Sequence, residues 1–562
     1  MSEPNSIPEA GGIDRRDFLR GMGAAAVVTA AALSAPAGWP AAVPAAHAAA
    51  PFATRPNILI LMTDQERPPM YWPDGWAEAN LPARNRLLAH GLEFRHMFCN
   101  TAMCSPSRST LFTGLFPAQH GVTGTLTPPG TTNDDQHDLP VSIQNMARLL
   151  KSAGYDVQYR GKWHMSKGAN NSAVTAADVA AYGFDGWVAP DAGGDIDPES
   201  FGGGCADNDQ PYIDQAVAFL NNAHADDAQP WALIVSLVNP HDTLSFPASW
   251  DSQSATDPTC FNYRDEAPAC FQLGIELPPT RTENLANNYK PTAQMQTLAL
   301  ILGGLGILDP TRNEPEKYVN FYAFLQKHVD AQIGAVLDAL DANPGLADKT
   351  VIMRLADHGE LGLSHGGLRQ KMFNVYEEMF NVPLIFSNPT LFPNPVQTAA
   401  LASLIDIMPT LAALADVPDP GAWTFRGVNL MPVILDASQN PTNPTATVQD
   451  SILFTFDDQN VGTPNGQHVV QQPSHIRAVR TSRYKYAVYF DPQGVADPQY
   501  ELYDLQTDPA ELHNRARPDN TAYYDPQKVG EMHALLNEKL VAAGMAPIMF
   551  RTFLPFAAKP RE

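Results

Sequence analysis

Asp64 with Gln65, and Asp357 with His358, supply two carboxylates, an amide oxygen and an imidazole from two distant stretches of the chain. That is a hard, mostly oxygen donor set of the kind that suits Ca²⁺, Mg²⁺ or Mn²⁺, and it looks unlike a soft thiolate site. Two acids brought into one crevice repel each other unless a cation or a proton lies between them, so a divalent ion would also resolve the electrostatics. Lys162, His164, His241 and Lys371 add positive or hydrogen-bond-donating groups. Cations beside a metal suit an anionic tetrahedral substrate: the charged oxygens of a sulfate or phosphate ester would lie between the metal and the lysines, and a histidine could protonate the leaving oxygen. Taken singly, such a Lys or His is more often a solvated surface group; its position after a strand-like run is what raises it.

The elements that must position these residues are legible as patterns. From Asn57 a continuous apolar run is broken abruptly by Asp64 and Gln65, the signature of a buried parallel strand with polar residues at its carboxyl end. Thr350 to Ala356 runs into Asp357-His358-Gly359-Glu360, Trp231 to Val238 into Asn239-Pro240-His241-Asp242, and Tyr155 to Tyr159 into Arg160-Gly161-Lys162-Trp163-His164. Helical periods fill the gaps at 142–153, 212–222 and 318–343. Alternating strand and helix predicts an α/β fold, a mostly parallel central sheet flanked by helices, in which ligands bind beyond the carboxyl ends of the strands. Downstream, 406–417 reads as a helix and 422–447 is rich in Pro and Asn. Strand patterns then follow at 451–456, 475–481 and 484–490, with a helix at 525–543. These predict a smaller C-terminal domain over 421–562, an antiparallel sheet plus helix, after a catalytic domain over 49–420 that carries a loop-rich insertion at 190–317.

The attacking group comes from Cys104-Ser105-Pro106-Ser107-Arg108, a C-x-P-S-R core followed by a helix-like start. A plain thiol there is a poor nucleophile on sequence grounds, because Asp64 and Asp357 would raise its pKa. With this motif the chain resembles the formylglycine-dependent sulfatases of the alkaline phosphatase superfamily. The likeness extends through Thr63-Asp64-Gln65, Gly161-Lys162-Trp163-His164, Asn239-Pro240-His241-Asp242, Asp357 to Gly362, Lys371, Tyr376-Glu377-Glu378 and the closing Tyr500 to Leu505 with Asp508 to Glu511. It implies oxidation of Cys104 to an aldehyde whose hydrate is the nucleophile. It also implies one divalent cation, Ca²⁺ before Mn²⁺ or Mg²⁺, held by Asp64, Gln65, Asp357, His358 and the modified Cys104. Arg108 would steady the hydrated aldehyde, Lys162 and Lys371 would grip the transferred oxyanion, His164 would help break the covalent ester, and His241 would protonate the departing alcohol. Many arylsulfatases have a second Asp where this chain has Gln65 and an Asn where it has His358. The pairing here is similar to the choline-sulfatase and phosphonate monoester hydrolase branch. A sulfuric ester of a small molecule or glycan is the expected substrate, with a phosphonate monoester or phosphodiester as the alternative and a non-enzymatic exported binding protein as the third reading. Specificity is expected in the insertion, where Phe201, Trp250, Phe261 and Tyr263 could form a substrate wall or simply pack the loops.

Composition narrows the setting. The 562 residues are 44% hydrophobic and carry 60 acidic against 36 basic side chains, a net charge of -24 that excludes a polyanionic nucleic-acid partner in the absence of a basic run. Asp14-Arg15-Arg16-Asp17-Phe18-Leu19-Arg20, an uncharged Ala-rich stretch and Ala46-His47-Ala48 resemble a twin-arginine signal peptide over 1–48. That leader implies a bacterial periplasmic or secreted protein with no stable membrane insertion, whose maturation partners would be the twin-arginine translocase and a formylglycine-generating enzyme. Five Cys in an oxidising compartment leave one unpaired, and Cys260 and Cys270 are candidates to bridge a ten-residue loop.

Overall fold

The computed structural model describes residues 54–131, 136–225, 227–254, 257–264, 266–463 and 467–549; the expected leader lies outside them. In chain order the strands are β1 (Asn57–Asp64), β2 (Gly91–Phe98), β3 (Asp156–Gly161), β4 (Trp231–Pro240), β5 (Thr350–Ala356), β6 (Leu384–Ser387), β7 (Val396–Ser403), β8 (Ser451–Phe456), β9 (His475–Thr481), β10 (Tyr484–Phe490) and β11 (Gln499–Asp504). The first seven form one sheet in the order β3-β4-β1-β5-β6-β2-β7. β1 runs parallel to both β4 and β5, and β6 alone is antiparallel to its neighbours. The α/β class expected from the alternating pattern is the observed one, with a four-stranded antiparallel sheet, β11-β10-β9-β8, beside it.

Every residue of β1 is buried because each face of the sheet has its own core. Ile58, Ile60 and Met62 join one cluster with Val157, Tyr159 and Ile234, while Leu59 and Leu61 face the other with Leu233 and Val235. Successive side chains of a strand point to opposite faces, so a strand covered on both sides reads as an unbroken apolar run. The long helix Glu314–Asp341 covers the second face with Val329, Ile333, Val336, Leu337 and Leu340. That spacing gives one apolar stripe at helical period, each fully buried side chain stabilising by roughly 1.5–3 kcal/mol.

Helix ends moved where local capping decides them. The helix expected over 142–153 is Met146–Ser152, because the Asn145 side chain accepts the Arg148 N–H and so caps it there. The helix expected at 212–222 begins earlier, at Asp209, whose buried carboxylate accepts the N–H groups of Val238 and Asn239 at the end of β4. The expected 318–343 and 406–417 helices are Glu314–Asp341 and Ile407–Leu414, and the last is Pro526–Ala542. β2, β6, β7 and β11 escaped the sequence reading, since Glu93, Arg95 and His96 interrupt β2, β7 is rich in Ala, and β6 has only four residues.

The insertion differs from expectation in two ways. Its disulfide joins Cys205 to Cys260, not Cys260 to Cys270. Cys270 sits in the turn Pro268–Phe271 and turns its thiol into an apolar cluster with Phe246, Tyr263 and Phe321. Phe201 and Tyr263 belong to that same cluster, and Trp250 packs its ring 5.0 Å from Phe321 of the long helix, so these three aromatics are a core beneath the loops and not a substrate wall. Phe261 instead lies under the Arg264 guanidinium. No helix among the described residues is long and apolar enough to cross a membrane.

Candidate active site

Register brings the two acidic pairs together. Thr63 lies opposite Ala356 in the β1–β5 ladder, so the next residues, Asp64 and Asp357, leave adjacent strand ends side by side. Asp357 Oδ1 accepts the Gln65 N–H at 3.1 Å and the His358 N–H at 2.9 Å. Cys104 arrives from a different direction, as the first residue of the helix Cys104–Thr113, all of it buried. Met103 before it takes φ 70°, a conformation costing on the order of 1–3 kcal/mol for a residue with a side chain. Gln65, His164 and Gln370 also have positive φ, so this strain gathers around the same residues.

Ligand atoms of Asp64, Cys104, Asp357 and His358 lie within 4.8 Å of one another, all buried. The Cys104 Sγ is 3.5 Å from Asp64 Oδ1 and 3.4 Å from His358 Nε2. The surrounding cations come from the Cys104 helix itself and from two further segments. Arg108, one helical turn after Cys104, reaches Asp357 at 3.3 Å and Asp64 at 3.5 Å. It is held by Trp163 O, Lys162 O and the hydroxyls of Tyr159 and Ser236. Lys162 Nζ lies 2.6 Å from Asp64 Oδ2 and donates to Gly193 O at 2.5 Å. Its placement depends on Gly161, where φ is +101° and a Cβ would stand 1.9 Å from Ser236 O. Lys371 Nζ donates to Gln65 Oε1 at 2.5 Å, which turns that amide oxygen toward the cations.

The two histidines sit differently. His164 is 7% exposed, at the rim, its ring Nε2 3.0 Å from Leu126 O and its backbone N–H bonded to Asp191. His241 follows β4 in the turn His241–Ser245 and is buried. Among the described residues Nδ1 of each ring lacks a hydrogen bond of ordinary geometry, and both side chains face Cys104.

Electrostatics divide the acids. Burial and the charge of Cys104 push Asp64 up, but Lys162, His241 and His358 outweigh them and hold it well below the carboxylate range. Asp357 is pushed up, by burial and then by Asp64. This repulsion is what a cation between the two carboxylates would relieve, so the donor set, its burial and its charge all fit a divalent metal. Burial pushes His241 down to about 4, with Lys162 adding to it. The expectation that the acids raise the Cys104 thiol is overturned: burial does raise it, but Lys162, Lys371 and His358 together bring it well below its ordinary value. The sequence places Lys162 and Lys371 in the same crevice, but that their charge governs the thiol depends on distances only the folded chain sets.

All the expected site residues therefore fall around one point, His164 and His241 both facing Cys104. Ser236 and Tyr159 were missed, although each is a polar group on a strand face whose neighbours, Ile234 and Val157, are core residues. Asp191, which accepts the backbone N–H groups of Trp163 and His164, lies in a loop with no pattern to betray it.

A second buried cluster lies nearby in sequence. His365 Nδ1 is 2.7 Å from Glu283 and Nε2 is 3.3 Å from Glu378, with the ring stacked on Tyr376 at 3.4 Å. Lys485 of β10 pairs with Glu511 at 2.6 Å and Glu377 at 3.0 Å, Arg480 of β9 pairs with Glu377 at 3.1 Å, and Lys290 with Glu283 at 3.3 Å. The loop that carries Lys371 is thereby tied to the smaller sheet.

The family model described as Sulfatase matches residues 56–417, and one described as N-sulphoglucosamine sulphohydrolase, C-terminal, matches residues 365–542. The chain is 25% identical to the Delta 4,5-hexuronate-2-O-sulfatase of Bacteroides thetaiotaomicron, covering 84% of this chain and 86% of that protein. It is 26% identical to arylsulfatase K of Gallus gallus, covering 84% and 82%. Among solved structures, a 2-O GAG sulfatase superposes with a TM-score of 0.63 at 22% identity, covering 87% and 93%. The phosphonate monoester hydrolase of Agrobacterium radiobacter superposes at 0.58 and 20% identity, covering 87% and 96%. Both share the fold.

Proposed function

The chain belongs to the sulfatase family, and from that premise we propose that it is an exported, metal-dependent hydrolase that cleaves a sulfuric ester on a glycan or small molecule, with Cys104 converted to formylglycine as nucleophile. The observation that carries this reading is the convergence of Cys104 with Asp64, Asp357 and His358 under Lys162, Lys371 and Arg108. Asp64, Gln65, Asp357 and His358 would hold the cation, Ca²⁺ first among the candidates. When bound, the ion would supply positive charge to the substrate's oxygens and acidify the hydrate of the aldehyde. Lys162 and Lys371 bind the anionic group from two sides, and Arg108, 3.3 Å from Asp357 and 3.5 Å from Asp64, steadies the hydrated aldehyde between them. His164 stands at the rim to take a proton as the covalent ester breaks. His241 is neutral at rest, its value depressed to about 4, and must take up its proton as the substrate's negative charge enters before it passes that proton to the leaving oxygen. The hexuronate-2-O-sulfatase relative supports a sugar as the alcohol part.

The twin-arginine leader over 1–48, with delivery to the periplasm or medium, and the division into 49–420 and 421–562 belong to the same proposal, supported by the motif and by the separate antiparallel sheet. The experiment is the mass of the proteolytic peptide spanning Cys104, from protein purified out of its native host, paired with a panel of sulfate, phosphonate and phosphodiester substrates. An aldehyde and preference for sulfate bear the reading out. An intact thiol without turnover would leave a binding protein, and preference for phosphonate would move the chain to that branch, which the Gln65 and His358 departures favour.

A further inference from the structure

We infer that Glu360, to which neither the motif nor the family gives a role here, is a positioning residue that fixes which way the Gln65 amide faces and so completes the ligand set; this rests on the metal-dependent reading above. Glu360 is fully buried three residues after Asp357. Its carboxylate accepts from four donors in three parts of the chain. Gln65 Nε2 donates to Oε2 at 2.6 Å, and the Tyr318 hydroxyl of the long helix donates to Oε1 at 2.8 Å. The Gly362 N–H donates to Oε1 at 3.0 Å, and the Gln370 N–H is shared between both oxygens at 3.0 Å.

The chemistry at the two ends of Gln65 leaves one orientation. An ionised carboxylate accepts only, so the amide must turn its NH₂ to Glu360; an ammonium donates only, so the amide must turn its oxygen to Lys371. The flipped amide would set oxygen against carboxylate and NH₂ against ammonium. Elsewhere Gln65 is held by its backbone, its N–H on Asp357 Oδ1 at 3.1 Å and its carbonyl oxygen accepting the Tyr322 hydroxyl at 2.8 Å. Only the two side-chain contacts therefore decide which atom faces the cation. Glu360 also holds the N–H of Gln370, the residue before Lys371, so one carboxylate sets the amide and the lysine that meets it. An Asp at position 65 would need no such orientation, because its two oxygens are equivalent; an amide does.

Glu360→Gln nearly preserves volume but brings a donor among four donors. In a crystal structure of metal-free Glu360→Gln, the Gln65 amide is expected to leave its contact with Lys371 Nζ. Ca²⁺ titrated calorimetrically into chelator-treated protein should bind about tenfold or more weakly than to wild type, as for other residues that orient metal ligands. In a Gln65→Ala background the same Glu360 substitution should change Ca²⁺ affinity less than about twofold, because its effect passes through the amide. A retained Gln65–Lys371 contact, or an equal loss of affinity in both backgrounds, would overturn the inference. If Glu360→Gln does not fold, Glu360→Asp, which withdraws the carboxylate by one methylene, enters the same cycle under the same criteria. A wild type that takes up no divalent cation would overturn the function reading instead, while the crystallographic arm still decides the amide's orientation.

Discussion

At the ends of β1 and β5 most of the charged atoms stand off from one another, Arg108 at 3.3 and 3.5 Å and His358 at 3.7 and 3.8 Å from Asp357 and Asp64. Around His365 they close up, to 2.7 Å on Glu283 and, at Lys485, to 2.6 Å on Glu511. Both regions are buried and each combines a histidine with two carboxylates, so composition does not separate them. Spacing and charge balance do. In the first, two acids, Asp64 and Asp357, meet three bases, Arg108, Lys162 and His358, and Lys162 alone is in close contact. In the second, four acids, Glu283, Glu377, Glu378 and Glu511, meet four bases, His365, Lys290, Arg480 and Lys485. A cluster whose acids and bases match in number clamps two parts of a fold; one held open with bases to spare suits an anion brought to it.

The largest break between the two should come from Cys104→Ala. Turnover is expected to fall by about 10⁴-fold or more while circular dichroism and melting temperature stay near wild type; turnover that survives would remove the nucleophile assignment. Metal content should divide the clusters next. Elemental analysis after dialysis is expected to give one divalent ion per wild-type chain, none for Asp357→Ala and one still for Glu378→Gln, and an ion that follows Glu378 would reverse the assignment. Lys485→Met should act on stability instead, costing about 3–5 kcal/mol in denaturant unfolding because two buried carboxylates lose their cation, with turnover per folded molecule within about threefold of wild type.

Smaller effects sharpen the picture. His241→Ala should slow alkyl esters about tenfold more than activated aryl esters, and equal losses on both would withdraw its role as acid. The smallest is a pH effect. Burial would raise Glu378, but His365 and Arg67 outweigh it and hold the carboxyl well below its ordinary 4.5. A depressed value means stability that is complete above the unfolded-chain pKa and is lost as pH falls through the folded one. Melting temperatures between pH 3 and 7 should therefore fall below about pH 4.5 in wild type, and Glu378→Gln should flatten that limb; parallel curves would dismiss the clamp as an acid-sensitive element.

Much of this was legible in the residues. An apolar run ending in Asp64-Gln65 or Asp357-His358 encodes a strand buried on both faces and a polar carboxyl end, because the period of two and the two cores act locally. β8, β9 and β10 appear at the bounds their patterns predict for the same reason. β2 was hidden because Glu93, Arg95 and His96 stay partly or fully exposed, breaking the apolar run without breaking the strand.

By itself the sequence determined the fold class, the strand ends that carry chemistry and the Cys104 context, since each is a pattern within a few residues. Only the tertiary structure decided that Cys205 bridges Cys260, that Lys162 and Lys371 outweigh burial at the Cys104 thiol, and that Glu360 faces Gln65. Disulfide pairing, the sign of a pKa shift and the direction of an amide depend on distances between segments from 55 to 295 residues apart, and those distances exist only once the chain has folded.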